Sequence, residues 1–259
     1  YYAAIWANDQ AEYVNPFFPF LGYGVGNASA LNSFRHFARF MNPAYEPLPS
    51  SVIAEGDDIW ITDPKGREHR LAMLRNQTRG QDNLSLADFI APKGDWIGCF
   101  AVTAGIGLKE LCEKFRAGGD DYNAIMAKLL ADRLTEAFAE AVHSFVRRQM
   151  WGYETGEAPT PRQVIRGEYR GRRMAFGYPA SPDHSLKREV FDLLAAELTT
   201  GMKLTENYMV DPGEALCGLL LADADYFSVG TVDTEQLLDY ARRRGLDVEL
   251  VKKLIPHNI

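Results

Sequence analysis

The longest helical signal limits the fold more than any other feature of this chain. From Tyr122 to Met150 there is neither proline nor glycine, and Ile125, Leu129, Leu134, Phe138, Val142 and Phe145 recur at three- to five-residue steps. That spacing predicts one long helix whose apolar stripe is core. Its opposite face carries Asp132, Glu136, His143 and Arg147, which reads as a solvated face laced by i, i+4 ion pairs. Glu136 and His143 are two helical turns apart, about 10 Å, which is too far to chelate one ion together. No metal site is expected. Around this helix the strand signals fall in clusters. A hairpin is predicted over 57–75, where Ile59 and Ile61 alternate, Asp63 to Gly66 supply turn chemistry, and Leu71 and Met73 lie on the return strand. Trp96 to Thr103 reads as a central strand, and a helix follows at 108–117. The C-terminal third reads as a helix at 186–199, strands at 216–221 and 226–232, a helix at 234–244 stopped by Gly245, and a last helix at 247–254. Asp233 and Gln236 have capping-box spacing. Helices and strands do not alternate regularly, so the class is α+β.

Charge and composition narrow the partners. The 259 residues hold 28 Lys+Arg against 35 Asp+Glu, a net charge of −7, with 46% hydrophobic and 24% charged residues. This is a globular composition, and its acidic balance disfavours nucleic acid and anionic lipid, both of which need basic surface. No apolar run approaches the roughly 18 to 20 residues of a membrane span, so no membrane partner is expected. The opening YYAAIWAND lacks the pattern of a secretory signal. Cys99, Cys112 and Cys217 are an odd number without a Cys-x-x-Cys pair, which argues against a disulfide framework and a zinc knuckle. A reducing, cytoplasmic setting is the expectation, with small molecules and proteins as partners.

Residues 9–54 differ from their surroundings. They hold nine Phe or Tyr but only Asp9, Glu12, Arg35, Arg39 and Glu46 as charges. After a strand-like run at Tyr1 to Ala7, this stretch reads as an aromatic-rich insertion with a short helix signal from Asn27 to Met41, packed on the core or facing a partner. No chemistry is written in it.

The string GRRMAFGYPASPDH, residues 171–184, is different. Pro179, Pro182, Gly171 and Gly177 make it stiff and non-helical, which fixes the directions of Arg173, Tyr178 and His184. Arginine holds a carboxylate through a planar fork, and glycine lets a ligand approach the backbone. An acidic small molecule would suit this layout, although a structural loop carrying surface arginines would have the same composition.

Around this string, LADFIAP, DWIGCFAVTAG, DDYNAIMAKLLADRLTEAFAE, WGY, FGYPASPDH, GMKLTEN, YFSVG and YARRRG occur in order. Together they resemble the C-terminal activation domain of cobalamin (vitamin B12)-dependent methionine synthase. The resemblance spans 84–255 as its best-matching core, with a weaker stretch at 56–75. It implies a single activation domain over 1–259, with 9–54 as an atypical insertion, and helices around a bent, mainly antiparallel sheet.

The resemblance also implies a function. Such a domain binds S-adenosylmethionine and presents its methyl group for reductive remethylation of inert cob(II)alamin. The cobalamin is held by a neighbouring module, and the electron comes from flavodoxin or an equivalent reductase. The chain would then be part of a methyltransferase of methionine biosynthesis and not a complete enzyme alone. Carried over position by position, the ligand contacts implied are Arg173, Ala175, Tyr178, Glu136, Tyr226 and Phe227, and His184 faces the cobalamin. No acid–base catalyst and no metal ligand is implied. An Arg for the carboxylate, a Glu for the ammonium or ribose hydroxyls, and an aromatic wall for adenine suit the ligand. The sequence departs from the family pattern at Gly167, where relatives place an acidic contact, and at Leu221-Ala222, where a His-Pro often stands. The missing initiator Met and the late start within the pattern lead us to expect a C-terminal piece of a larger enzyme. Two other readings remain: a binding-only module that docks on a corrinoid protein or flavodoxin without ligand affinity, and an independent methyltransferase.

Overall fold

The computed structural model describes residues 52–63, 66–91 and 95–259. The expected strand at 1–7 and helix at 27–41 lie outside the described residues, as does all of the aromatic stretch except Val52 to Ala54. The chain divides into two compact units. Among the described residues, one comprises Phe100–Val146 and Leu194–Cys217, and the other comprises the described part of 52–99 with Arg147–Leu193 and Gly218–Ile259. No described helix is long and apolar enough to cross a membrane.

In the second unit, β1 (Val52–Glu55), β2 (Asp58–Thr62) and β3 (Glu68–Ala72) form an antiparallel sheet in that order. Ile59 lies opposite Leu71, and both are fully buried, as the alternation requires. The predicted hairpin is therefore present, and β1 adds a third strand that its placement in the insertion had hidden.

Three further strands, β4 (Gly98–Thr103), β5 (Arg172–Ala175) and β8 (Ala215–Leu221), make a second sheet in the order β4-β8-β5. A two-residue ribbon, β6 (Lys203–Leu204) with β7 (Val210–Asp211), is too short to show any alternation in the sequence. Residues 226–232, predicted as a strand, form none. Val229 N donates instead to Pro179 O at 2.9 Å and Val232 N to Asn258 O at 2.6 Å, which uses donors a ladder would need, and Gly230 sits at φ 68°.

The helices in chain order are α1 (Leu108–Ala117), α2 (Asp121–Phe145), α3 (Pro161–Ile165), α4 (Lys187–Leu194), α5 (Ala196–Thr200), α6 (Thr234–Arg244) and α7 (Val248–Leu254). The single helix predicted at 186–199 is broken at Ala195, which adopts a left-handed φ of 47°. Helix α6 has the predicted ends. Asp233 Oδ1 accepts from Gln236 N at 2.8 Å, and Gly245 closes the helix at φ 64°. The reciprocal half of the capping box is replaced, because the Gln236 side chain accepts from Arg75 N and donates to Arg75 O. Arg243 ties the same helix to the hairpin through Asp58 Oδ1 at 2.7 Å and Met73 O at 2.9 Å.

Helix α2 corrects the opening expectation. Its buried residues are Ala124, Ala131, Thr135, Ala139 and His143, whereas Ile125 and Leu129 are 58% and 52% exposed. Small side chains let α1 and α2 approach closely across the turn at 118–120, with Leu108 and Cys112 packed against Ala124 and Ala131. The buried positions from 131 onward advance by four residues, and each such step overshoots a full turn by about 40°. The buried stripe therefore winds around the helix. His143 is only 1% exposed although it shares its side of the wheel with exposed Asp132 and Glu136. Thr135 adds a polar tie in this unit: its hydroxyl accepts from Ala104 N at 3.1 Å and lies 3.0 Å from Glu214 O.

Candidate functional site

The string at 171–184 folds as strand, turn and short 3-10 helix, all within the second unit. Strand β5 pairs antiparallel with β8, placing Arg173 opposite Leu220 and Ala175 opposite Gly218. A Cβ at Gly218 would lie 2.2 Å from Met174 O, so only glycine lets the two backbones meet there. Met174 is buried, while Arg173 and Ala175, two residues apart and so on the other face of the strand, are half-buried. A tight turn follows, in which Gly177 N donates to Ser181 O at 2.8 Å and Ser181 N donates to Tyr178 O at 2.9 Å. The Val229 to Pro179 bond joins this turn to the segment that carries Tyr226 and Phe227.

Side chains hold the far end of the string. Asp183, 1% exposed, accepts from Ser185 N at 2.7 Å and from the Tyr240 hydroxyl at 2.7 Å. Arg244 donates to Ser185 Oγ at 2.6 Å and places Nε 3.8 Å from Asp183. Burial first, and Asp183 second, push the Tyr240 phenol well above its ordinary value, so it remains a donor. On the N-terminal side, Arg147 is fully buried, donates to Glu154 at 3.0 Å and stacks 3.8 Å from the Tyr169 ring centre. Arg172 donates to Tyr169 O and Gly171 O, both at 2.8 Å. Burial beside these groups pushes the Tyr153 phenol up to about 12. Arg147 belongs to a π-helical turn, Val146–Met150, that continues α2, so the row of Asp132, Glu136, His143 and Arg147 is not one solvated face.

The structure thus gathers part of the expected set. Tyr178 and Tyr226 are both about half exposed, at 47% and 55%. The Tyr226 phenol is raised by burial first and then by Tyr178. Phe227 points inward, 8% exposed, and packs on Phe89 with ring centres 6.3 Å apart. His184 is half-buried, with Nδ1 2.6 Å from Lys187 Nζ. Glu136 is exposed on α2 and belongs to the other unit.

An open cleft of about 480 Å³ is lined by Asp88, Phe89, Ile90, Ala91, Asp95 and Asp223. Its carboxylates are engaged: Asp88 by Arg75, Asp223 by Arg170, and Asp95 by the amides of Ala91 and Trp96. Among the described residues, no three His, Cys, Asp or Glu gather to hold a metal.

Sequence reasoning missed Gly218, Asp183, Tyr240 and Lys187. Only Gly218 left a local signal, an isolated glycine inside an apolar strand, which marks close backbone approach.

Fold and site define a class: an α+β domain that carries Arg173 on strand β5, Tyr178 in the turn after it and Tyr226 on the segment bonded to that turn. The chain belongs to the family of the activation domain of vitamin B12-dependent methionine synthase, whose profile matches residues 48–245. That match extends beyond the hairpin at its N-terminal side and ends at the cap of α6. A similar solved structure is the crystal structure of the MetH reactivation domain bound to AdoHcy. It is 36% identical, with a TM-score of 0.77, and the match covers 99% of this chain and 82% of that one.

Proposed function

We propose that this domain binds S-adenosylmethionine and supports the reductive remethylation of cob(II)alamin in a B12-dependent methionine synthase. The observation that carries the reading is the likeness to a reactivation domain bound to AdoHcy, the demethylated form of that ligand. The residues present fit such a ligand. Arg173 and Ala175 share the half-buried face of β5, Tyr178 follows in the turn, and Tyr226 lies on the segment bonded to that turn, both rings about half exposed. Arg173 takes the carboxylate in a charge-assisted bond, and the tyrosines cover the adenine or the sulfonium side.

The two cofactors supply the chemistry, a sulfonium-activated methyl group and a reduced corrinoid that accepts it. The residues of this chain bind and orient, and alignment of that kind contributes several kcal/mol. His184 faces the cobalamin-binding module, flavodoxin or an equivalent reductase supplies the electron, and the compartment is the cytoplasm, whose reducing setting suits the odd number of cysteines, Cys99, Cys112 and Cys217.

Titration calorimetry with S-adenosylmethionine tests the reading. Saturable binding is expected, weakened about 10- to 100-fold by Arg173→Ala, equivalent to about 1.4 to 2.7 kcal/mol. Tyr226→Ala is expected to weaken it about tenfold. Arg242→Ala is the control, since that side chain is 78% exposed and pairs with Asp239. A folded chain that gives no binding heat, or equal losses at Arg173 and Arg242, overturns the reading. Retained docking on a corrinoid protein without ligand saturation would favour the binding-only module.

A further inference from the structure

We propose that Lys187 is the positioning residue of His184, donating from Nζ to Nδ1 so that the imidazole is neutral and carries its proton on Nε2. The contact is 2.6 Å, and Lys187 is 7% exposed at the start of α4. One partner at that distance must donate and the other accept. An ammonium has only donors, so Nδ1 is the acceptor and the ring proton sits on Nε2. A protonated ring would set an N–H and a positive charge against that ammonium.

The ring packs closely against the turn. A Cβ at Gly177 would meet His184 Cε1, Nε2 and Nδ1 at 2.1, 2.5 and 2.6 Å, and Gly177 holds φ 89°. Burial first, then Lys187, depress the basicity of His184, and Asp183 acts in the opposite sense. Asp183 is committed elsewhere, accepting from Ser185 N and Tyr240 and lying 3.8 Å from Arg244. Tyr178 adjoins Gly177 in the same turn, where Ser181 N donates to Tyr178 O.

A histidine with Nδ1 committed and Nε2 protonated has no lone pair for a metal. It meets its partner as a hydrogen-bond donor and not as a cobalt ligand. That consequence rests on the proposed reading that His184 faces the corrinoid module. The tautomer itself does not.

Long-range proton–nitrogen correlation spectra of the ¹⁵N-labelled chain test the assignment. At about pH 8, above the ordinary imidazole value, the His184 ring is expected to show bare Nδ1 and protonated Nε2. Lys187→Met is expected to raise its titration midpoint and to populate the Nδ1–H form. Lys187→Arg keeps a cationic donor and is expected to keep the Nε2–H form. An Nδ1–H signal in the unmodified chain, or an unchanged midpoint in Lys187→Met, overturns the proposal. The unmodified chain decides even where a variant does not fold. Failure to bind S-adenosylmethionine, by contrast, removes the proposed function and leaves the tautomer standing.

Discussion

The Tyr240 hydroxyl donates to Asp183 at 2.7 Å between side chains that are almost wholly out of solvent, at 0% and 1% exposure. The bond joins α6 to the end of the GYPASPDH segment, 57 residues away. Tyr240→Phe removes the donor and leaves a buried carboxylate oxygen facing only Arg244 Nε at 3.8 Å. Hydrogen bonds to charged groups are worth about 1.5 to 3 kcal/mol, and a loss in that range is expected. Urea unfolding checks it as a lower midpoint at unchanged slope.

The closeness of β5 and β8 depends on Gly218. In Gly218→Ala the new methyl would meet Met174 O at 2.2 Å, and backbone cannot move aside as a flexible side chain can. The strand pair must open at Ala175, so the variant is expected to lose about 2 kcal/mol or more. Amide exchange of residues 173–175 should speed up accordingly. Gly213→Ala, with open space around its Cβ, is the control and is expected to stay within about 0.5 kcal/mol. Equal stability of the two variants would contradict the packing described.

What was legible in the sequence was what local rules write. The hairpin followed from alternation at Ile59 and Ile61, and α6 ended where a capping aspartate and a glycine placed its ends. The arginine and tyrosine turn was visible because proline and glycine punctuate it. Its supports were not, because Tyr240 with Asp183 and Arg243 with Asp58 pair residues 57 and 185 positions apart and leave no local pattern. The buried face of α2 was misread because periodicity weighs hydrophobicity, whereas close packing of α1 on α2 selects for small size at Ala124 and Ala131. The residues 226–232 look like a strand by composition, yet the amides of Val229 and Val232 donate to Pro179 O and Asn258 O.

His184 makes stability fall on acidification. Its basicity is depressed in the folded chain, chiefly by burial and next by Lys187, so the unfolded chain takes up the proton first. The contribution is fully present above the unfolded value of about 6.5 and is lost as pH falls through the lower folded value. Urea unfolding of the unmodified chain and of His184→Gln, each at several pH values between about 7.5 and 5, checks the sign. The unmodified chain should lose more stability than the variant over that range, and a steeper loss in the variant would refute it.

The two faces of α2 give opposite expectations for substitutions of similar size. Ala139 is 0% exposed on the small-residue stripe, so Ala139→Leu overpacks it at a cost of about 1 to 3 kcal/mol. Leu129 is 52% exposed, so Leu129→Ala removes little buried area and should change stability by no more than about 0.5 kcal/mol. Thermal unfolding separates the two, with a drop of several degrees for the first and at most about 2 °C for the second. The reverse order would restore the leucine and isoleucine stripe as the buried face, since a core leucine truncated to alanine costs about 2 to 5 kcal/mol.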